Sequence, residues 1–153
     1  MKNTLLIQQL DSLLKNETNF VANLANTSAL IFESFPDINW AGFYLYEQKN
    51  NELVLGPFQG KVACMHISIG KGVCGTAFQE GKTLVVANVL EFPGHIACDA
   101  ASRSEIVIPL IKNGKKIGVL DIDSPNENRF TEADRLTLNS LVTTLLDHCD
   151  LLD

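Results

Sequence analysis

The dipeptide Asn113-Gly114 limits the possible folds of this chain more than any other feature. It is the pair favoured in two-residue type I′ hairpin turns, where both central residues need positive φ. It separates two β-rich segments, 105–111 and 116–121, which must therefore pair antiparallel. The rest of the chain reads outward from that hairpin. Leu5, Leu6, Leu10, Leu13 and Leu14 predict a helix over 4–15. Thr18 is placed to cap a second helix, with Phe20, Val21, Leu24, Ala25, Ser28 and Ile31 on one stripe and Pro36-Asp37 as its stop. From Ile38 the pattern changes to period two: Trp40, Gly42 and Tyr44 share one face, and Ala41, Phe43 and Leu45 the other. Further strands are expected at 52–58, 62–68 and 83–87, with a glycine-rich turn at 70–75 opening a short helix near 77–80. Residues 88–103 have no period and read as a long loop. Thr131 and Asp134 resemble a capping box ahead of a last helix with Leu138, Leu141, Val142, Leu145, Leu146 and Cys149 on its stripe. The expected class is α+β: an antiparallel sheet of about six strands with the N- and C-terminal helices on one face.

Length and charge narrow what such a domain can do. At 153 residues, one domain over 1–153 is expected, with enough core to fold without a disulfide or metal staple. A net charge of −6 with scattered Lys and Arg argues against a nucleic-acid partner. The first residues lack the unbroken apolar run of a secretory signal, and no stretch approaches the ~18 apolar residues of a membrane span. A cytoplasmic location is expected. There the four cysteines point to catalysis, metal binding or burial rather than a disulfide framework.

Two groups of residues carry candidate chemistry. The long loop holds His95-Ile96-Ala97-Cys98-Asp99, which gives Cys98 the exposure that a reactive thiol needs; His95 could lie close enough to favour the thiolate, but reads first as a solvated loop histidine. Cys74 falls at a helix mouth, where the N-terminal field favours a thiolate, and Cys64 falls in the strand expected at 62–68. Cys149 reads as core or helix end. The cysteines do not form the close pairs of a structural zinc site, since only Cys64-x-His66 and His95-x-x-Cys98 are near each other, and no metal is expected. Gly70-x-Gly72-x-x-Gly75 matches a dinucleotide fingerprint by letters but lacks a βαβ context, so it reads as a turn. Asp121 and Asp123 lie two apart on one side of an extended strand. Counting outward from the hairpin turn puts positions 105–106 opposite roughly 121–122, so Glu105 joins them. Three converging acids suit an ammonium group or proton delivery to a leaving oxygen, and Trp40 with Tyr44 could pack against an apolar or methyl–sulfur group.

These residues also carry a family resemblance. Segments 39–44 (NWAGFY), 55–60 (LGPFQG), 70–75 around Cys74, 95–99 (HIACD), 104–107 (SEIV) and 118–125 (GVLDIDSP) resemble the free methionine-R-sulfoxide reductases, a stand-alone branch of the GAF-domain fold. The resemblance covers nearly the whole chain. It implies that Cys98 attacks the sulfoxide sulfur, that Cys64 resolves the resulting sulfenic acid as a disulfide, and that Cys74 can join the exchange. It further implies that Glu105, Asp121 and Asp123 hold the substrate and assist loss of its oxygen, with Trp40 and Tyr44 as aromatic walls. A thioredoxin-like dithiol would be the reductant, with no bound cofactor and a homodimeric assembly. Two other readings stay open: a GAF sensor of a small molecule, against which stands the absence of any output segment after the last helix, and a redox sensor using the same thiols without turnover.

Overall fold

Residues 1–95 and 101–151 are described in the computed structural model. Its elements run α1 (Thr4–Leu13), α2 (Phe20–Ser34), β1 (Trp40–Glu47), β2 (Glu52–Gly60), β3 (His66–Ser68), α3 (Gly72–Glu80), β4 (Leu84–Val86), β5 (Ser104–Lys112), β6 (Lys115–Ser124) and α4 (Glu132–His148). The strands form a six-stranded sheet in the order β3-β2-β1-β6-β5-β4, with every neighbouring pair antiparallel. The expected α+β class is the one observed.

The hairpin turn forms as its residues dictate. Asn113 and Gly114 take φ of 54° and 78°, both positive as a type I′ turn requires. Alternation then divides β5 and β6 between two layers. Ile106, Ile108 and Leu110 of β5, with Leu120 and Ile122 of β6, turn to one face and pack under α1, α2 and α4 through Leu10, Leu24, Ile31, Leu138, Leu141 and Leu145. Val107 and Val119 turn to the other face with Trp40 and Tyr44, where Val73, Ala77 and Phe78 of α3 cover them. The N- and C-terminal helices thus share one face, and among the described helices the short α3 lies over the opposite one.

Four local readings change. The cap of α2 is Asn19, whose side chain accepts from the Ala22 N–H, rather than Thr18. The strand expected at 62–68 forms only at His66–Ser68, because β2 offers β3 three partners, Glu52, Leu53 and Val54; Cys64 lies in the irregular segment before it. The short helix begins five residues before Ala77, at Gly72, which brings Cys74 inside α3. A 3-10 turn at Val89–Glu91, capped by the Asn88 side chain, interrupts the long loop. The capping box forms as expected, with Thr131 accepting from the Asp134 N–H and Asp134 accepting from the Thr131 N–H.

Gly42 sits at the irregularity between β1 and β2 and pairs with Phe58 on one side and Asp121 on the other. A Cβ there would lie 2.2 Å from the Phe58 Cβ and 2.7 Å from its Cα, so backbone would have to move. Gly42→Ala is therefore expected to destabilise the fold by about 2–3 kcal/mol. Chemical denaturation would check this, and a midpoint within error of the parent would contradict the close approach.

Candidate active site

The α3-covered face of the sheet carries the candidate site. The hairpin register pairs Glu105 with Asp123 and Val107 with Asp121, while β1 sets Trp40 beside Asp123 and Gly42 beside Asp121. Glu105, Asp121 and Asp123 consequently share one face with Trp40 and Tyr44. A bulge between Leu110 and Ile111 advances the pairing, so Glu105 lies directly across from Asp123 and diagonal to Asp121. The anticipated convergence of the three acids holds, with this change of register.

These side chains line a cavity of about 60 Å³ together with Cys74, Val73 and Lys71 of the α3 start, Val62 and Ala63 beside Cys64, and His95 and Ser102 of the long loop. His95 reads from sequence as a solvated residue, but the structure makes it half-buried on the cavity wall. Lys71, Ser102 and Val73 escape a reading from sequence because only the fold brings them there. The one signal for them is their adjacency to Cys74 and to the loop.

Trp40 and Tyr44 do more than line the wall. Their rings lie 5.8 Å apart and nearly parallel, and Trp40 also stacks on Phe58 at 5.1 Å. The Trp40 Nε1–H donates to the Lys61 carbonyl at 3.1 Å, and the Tyr44 hydroxyl donates to the Cys64 carbonyl at 3.0 Å. Both aromatics thereby fix the strandless segment that presents Cys64. Cys64 is disulfide-bonded, whereas Cys74 and Cys149 are free thiols buried in the protein. Cys98 lies outside the described residues. Cys149 serves as the C-cap of α4, with the Asn23 amide 3.8 Å from its sulfur.

The electrostatics are those of buried, crowded acids. Glu105 and Asp121 are 8 % and 6 % exposed, and neither makes an ion pair among the described residues. Burial, then the neighbouring Asp121, pushes the Glu105 carboxyl well above the usual carboxylate range. Burial, then Asp123, does the same to Asp121. Oδ1 of Asp121 has no hydrogen-bond partner among the described residues. Cys74 lies 3.8 Å from Glu105 Oε2, and its thiol is pushed well up by burial and then by Asp121 and Glu105. This reverses the expectation of an acidic thiol at a helix mouth, because loss of water and two nearby carboxyls outweigh the helix field. Burial, with Asp121, raises the Tyr44 hydroxyl too. A site of this kind can hold a carboxyl in its protonated form near neutrality, able to donate a proton to an oxygen, and can receive a cationic group.

The fold and the arrangement of this pocket, with α3 covering one face of an antiparallel six-stranded sheet, define a GAF domain, and the GAF domain model matches residues 21–146. The chain is 56% identical over 135 residues to the free methionine-R-sulfoxide reductase of Escherichia coli, covering 88% of this chain and 81% of that one. It is 45% identical over 150 residues to the enzyme of that name from Saccharomyces cerevisiae, covering 94% and 83%. The solved fRMsr of Staphylococcus aureus in its reduced form superposes with a TM-score of 0.91 at 54% identity, covering 95% of this chain and 93% of that chain. Within the GAF fold the chain belongs to the free methionine-R-sulfoxide reductase family.

Proposed function

We propose that the protein reduces the R epimer of free methionine sulfoxide to methionine, as its relatives' names state of them. The observation that carries this reading is the gathering of Glu105, Asp121 and Asp123 with Trp40 and Tyr44 on one cavity, beside the segment bearing a disulfide-bonded Cys64. In this reading the acids receive the substrate ammonium and protonate the departing oxygen, and the aromatic rings flank the methyl–sulfur end.

The thiolate of Cys98 attacks the sulfoxide sulfur while its oxygen is protonated; the S–O bond breaks, the hydroxyl passes to the Cys98 sulfur and the transient S–S bond breaks, giving methionine and a Cys98 sulfenic acid. The Cys64 thiol then displaces hydroxide from that sulfur, releasing water and forming a disulfide. A thioredoxin-like dithiol returns both thiols by exchange and is itself oxidised. That Cys64 is disulfide-bonded while Cys74 and Cys149 are free supports a resolving role for Cys64. Cys74, beside the acids, is the further thiol that joins the exchange. We take 1–153 as one domain, homodimeric and cytoplasmic, working without a cofactor or nucleic acid; no helix among the described residues is long and apolar enough to cross a membrane.

The test is reductant oxidation coupled to thioredoxin, with free methionine-R-sulfoxide, the S epimer and a peptide-bound sulfoxide run in parallel. Turnover of the free R form alone is expected. No turnover with any of the three, in folded and thiol-reduced protein, would overturn the reading in favour of a sensor.

A further inference from the structure

Cys74, Glu105 and Asp121 come from three different elements, α3, β5 and β6, which is why no close-pair spacing in the sequence announces them. All three are buried, and one ligand atom from each lies within 4.8 Å of the other two. With a zinc–sulfur bond of about 2.3 Å and zinc–oxygen bonds of about 2.1 Å, tetrahedral geometry puts sulfur and oxygen ligands about 3.6 Å apart. The Cys74 Sγ to Glu105 Oε2 distance is 3.8 Å, already close to that edge. Asp121 is 6 % exposed, lines the same cavity and leaves Oδ1 with no hydrogen-bond partner among the described residues. Neither Glu105 nor Asp121 has a cationic partner there, and buried carboxylates without one are costly.

We propose that Cys74, Glu105 and Asp121 form a binding site for a thiophilic divalent cation of the Zn²⁺ class, filled in place of substrate. One sulfur and two carboxylate oxygens occupy three of four tetrahedral positions and leave the fourth to water, the pattern of an open zinc site. The cation displaces the thiol proton, and any proton held by the two carboxyls, to solvent, and no electron is transferred. Because the same two acids would hold the ammonium of methionine sulfoxide, metal and substrate exclude one another. That exclusion rests on the reductase reading; the metal site itself does not.

The experiment uses the full chain with Cys64→Ser and Cys98→Ser, leaving Cys74 and Cys149 as its thiols. Co²⁺ is titrated without oxygen while the sulfur-to-cobalt charge-transfer band is followed. One equivalent is expected to raise the band, and Zn²⁺ to bleach it. Adding Cys74→Ser should abolish it and adding Cys149→Ser should leave it. Asp121→Asn should weaken cobalt binding by at least ~10-fold, since even outer-sphere losses cost ~10–100-fold. Saturating methionine sulfoxide should bleach the band. Its absence in folded protein, or its survival in the Cys74→Ser background, overturns the site, and indifference to the sulfoxide overturns the exclusion. Cobalt binding in a chain whose parent turns over no sulfoxide would uphold the metal site while sinking the reductase reading. Turnover without cobalt binding would do the reverse.

Discussion

Replacing Cys98 with serine is expected to lower turnover of free methionine-R-sulfoxide by at least ~10³-fold, because serine supplies neither the nucleophile nor a sulfur able to carry the oxygen as a sulfenic acid. Cys64→Ser should behave differently. It should still release about one methionine per chain, and then stall even with the thioredoxin-like reductant for want of the resolving thiol. The two variants together separate a catalyst from a redox sensor that uses the same thiols. A sensor oxidised by general oxidants would release no methionine in a single-turnover assay in either form. Retained turnover in Cys98→Ser would sink the assignment of the nucleophile.

The second large effect concerns Asp121. Asp121→Asn keeps shape but removes the proton that the departing oxygen needs, and turnover should fall by roughly 10²-fold. Stability should move the other way. The folded Asp121 carboxyl titrates well above its ordinary value, chiefly because of burial. Between the unfolded value of about 4 and that raised value, the folded chain therefore holds more protons than the unfolded one. Stability is then lost as pH rises through this window, and it is regained as pH falls toward the unfolded value. Removing the carboxyl removes that loss. At neutral pH the variant should melt about 2–6 °C higher than the parent, and the gap should close toward about pH 4. Calorimetry from about pH 4 to 8 reads both. A variant that melts lower at neutral pH would show that the carboxylate is compensated after all.

Much of the site is legible in the sequence because it follows from strand periodicity. Asp121 and Asp123 share a face by spacing alone, and the Asn113-Gly114 turn fixes which strand they meet. What periodicity cannot supply is a bulge, and the one after Leu110 sets Glu105 against Asp123. Nor can a local rule weigh burial. Cys74 sits at a helix start, as expected, yet its thiol is raised, because what surrounds it comes from β5 and β6, tens of residues away. β-Propensity puts Cys64 in a strand, but β3 has only a short edge to pair with, so the segment before it is held instead by Trp40 and Tyr44. The family resemblance points to those two aromatics as walls. Their second role, as hydrogen-bond donors to the backbone around Cys64, depends on contacts across about 20 residues and leaves no mark in the local sequence.

The one sheet has two faces with separate tasks. Under α1, α2 and α4 lie the aliphatic side chains that make the fold cohere; under α3 lie the acids and Cys74. A single layer of shared backbone is all that joins these tasks, so substitutions can accumulate on one side with little echo on the other. Such a division lets a lineage rewrite its chemistry without renegotiating its architecture, and it suits a scaffold on which relatives of one descent take up different trades.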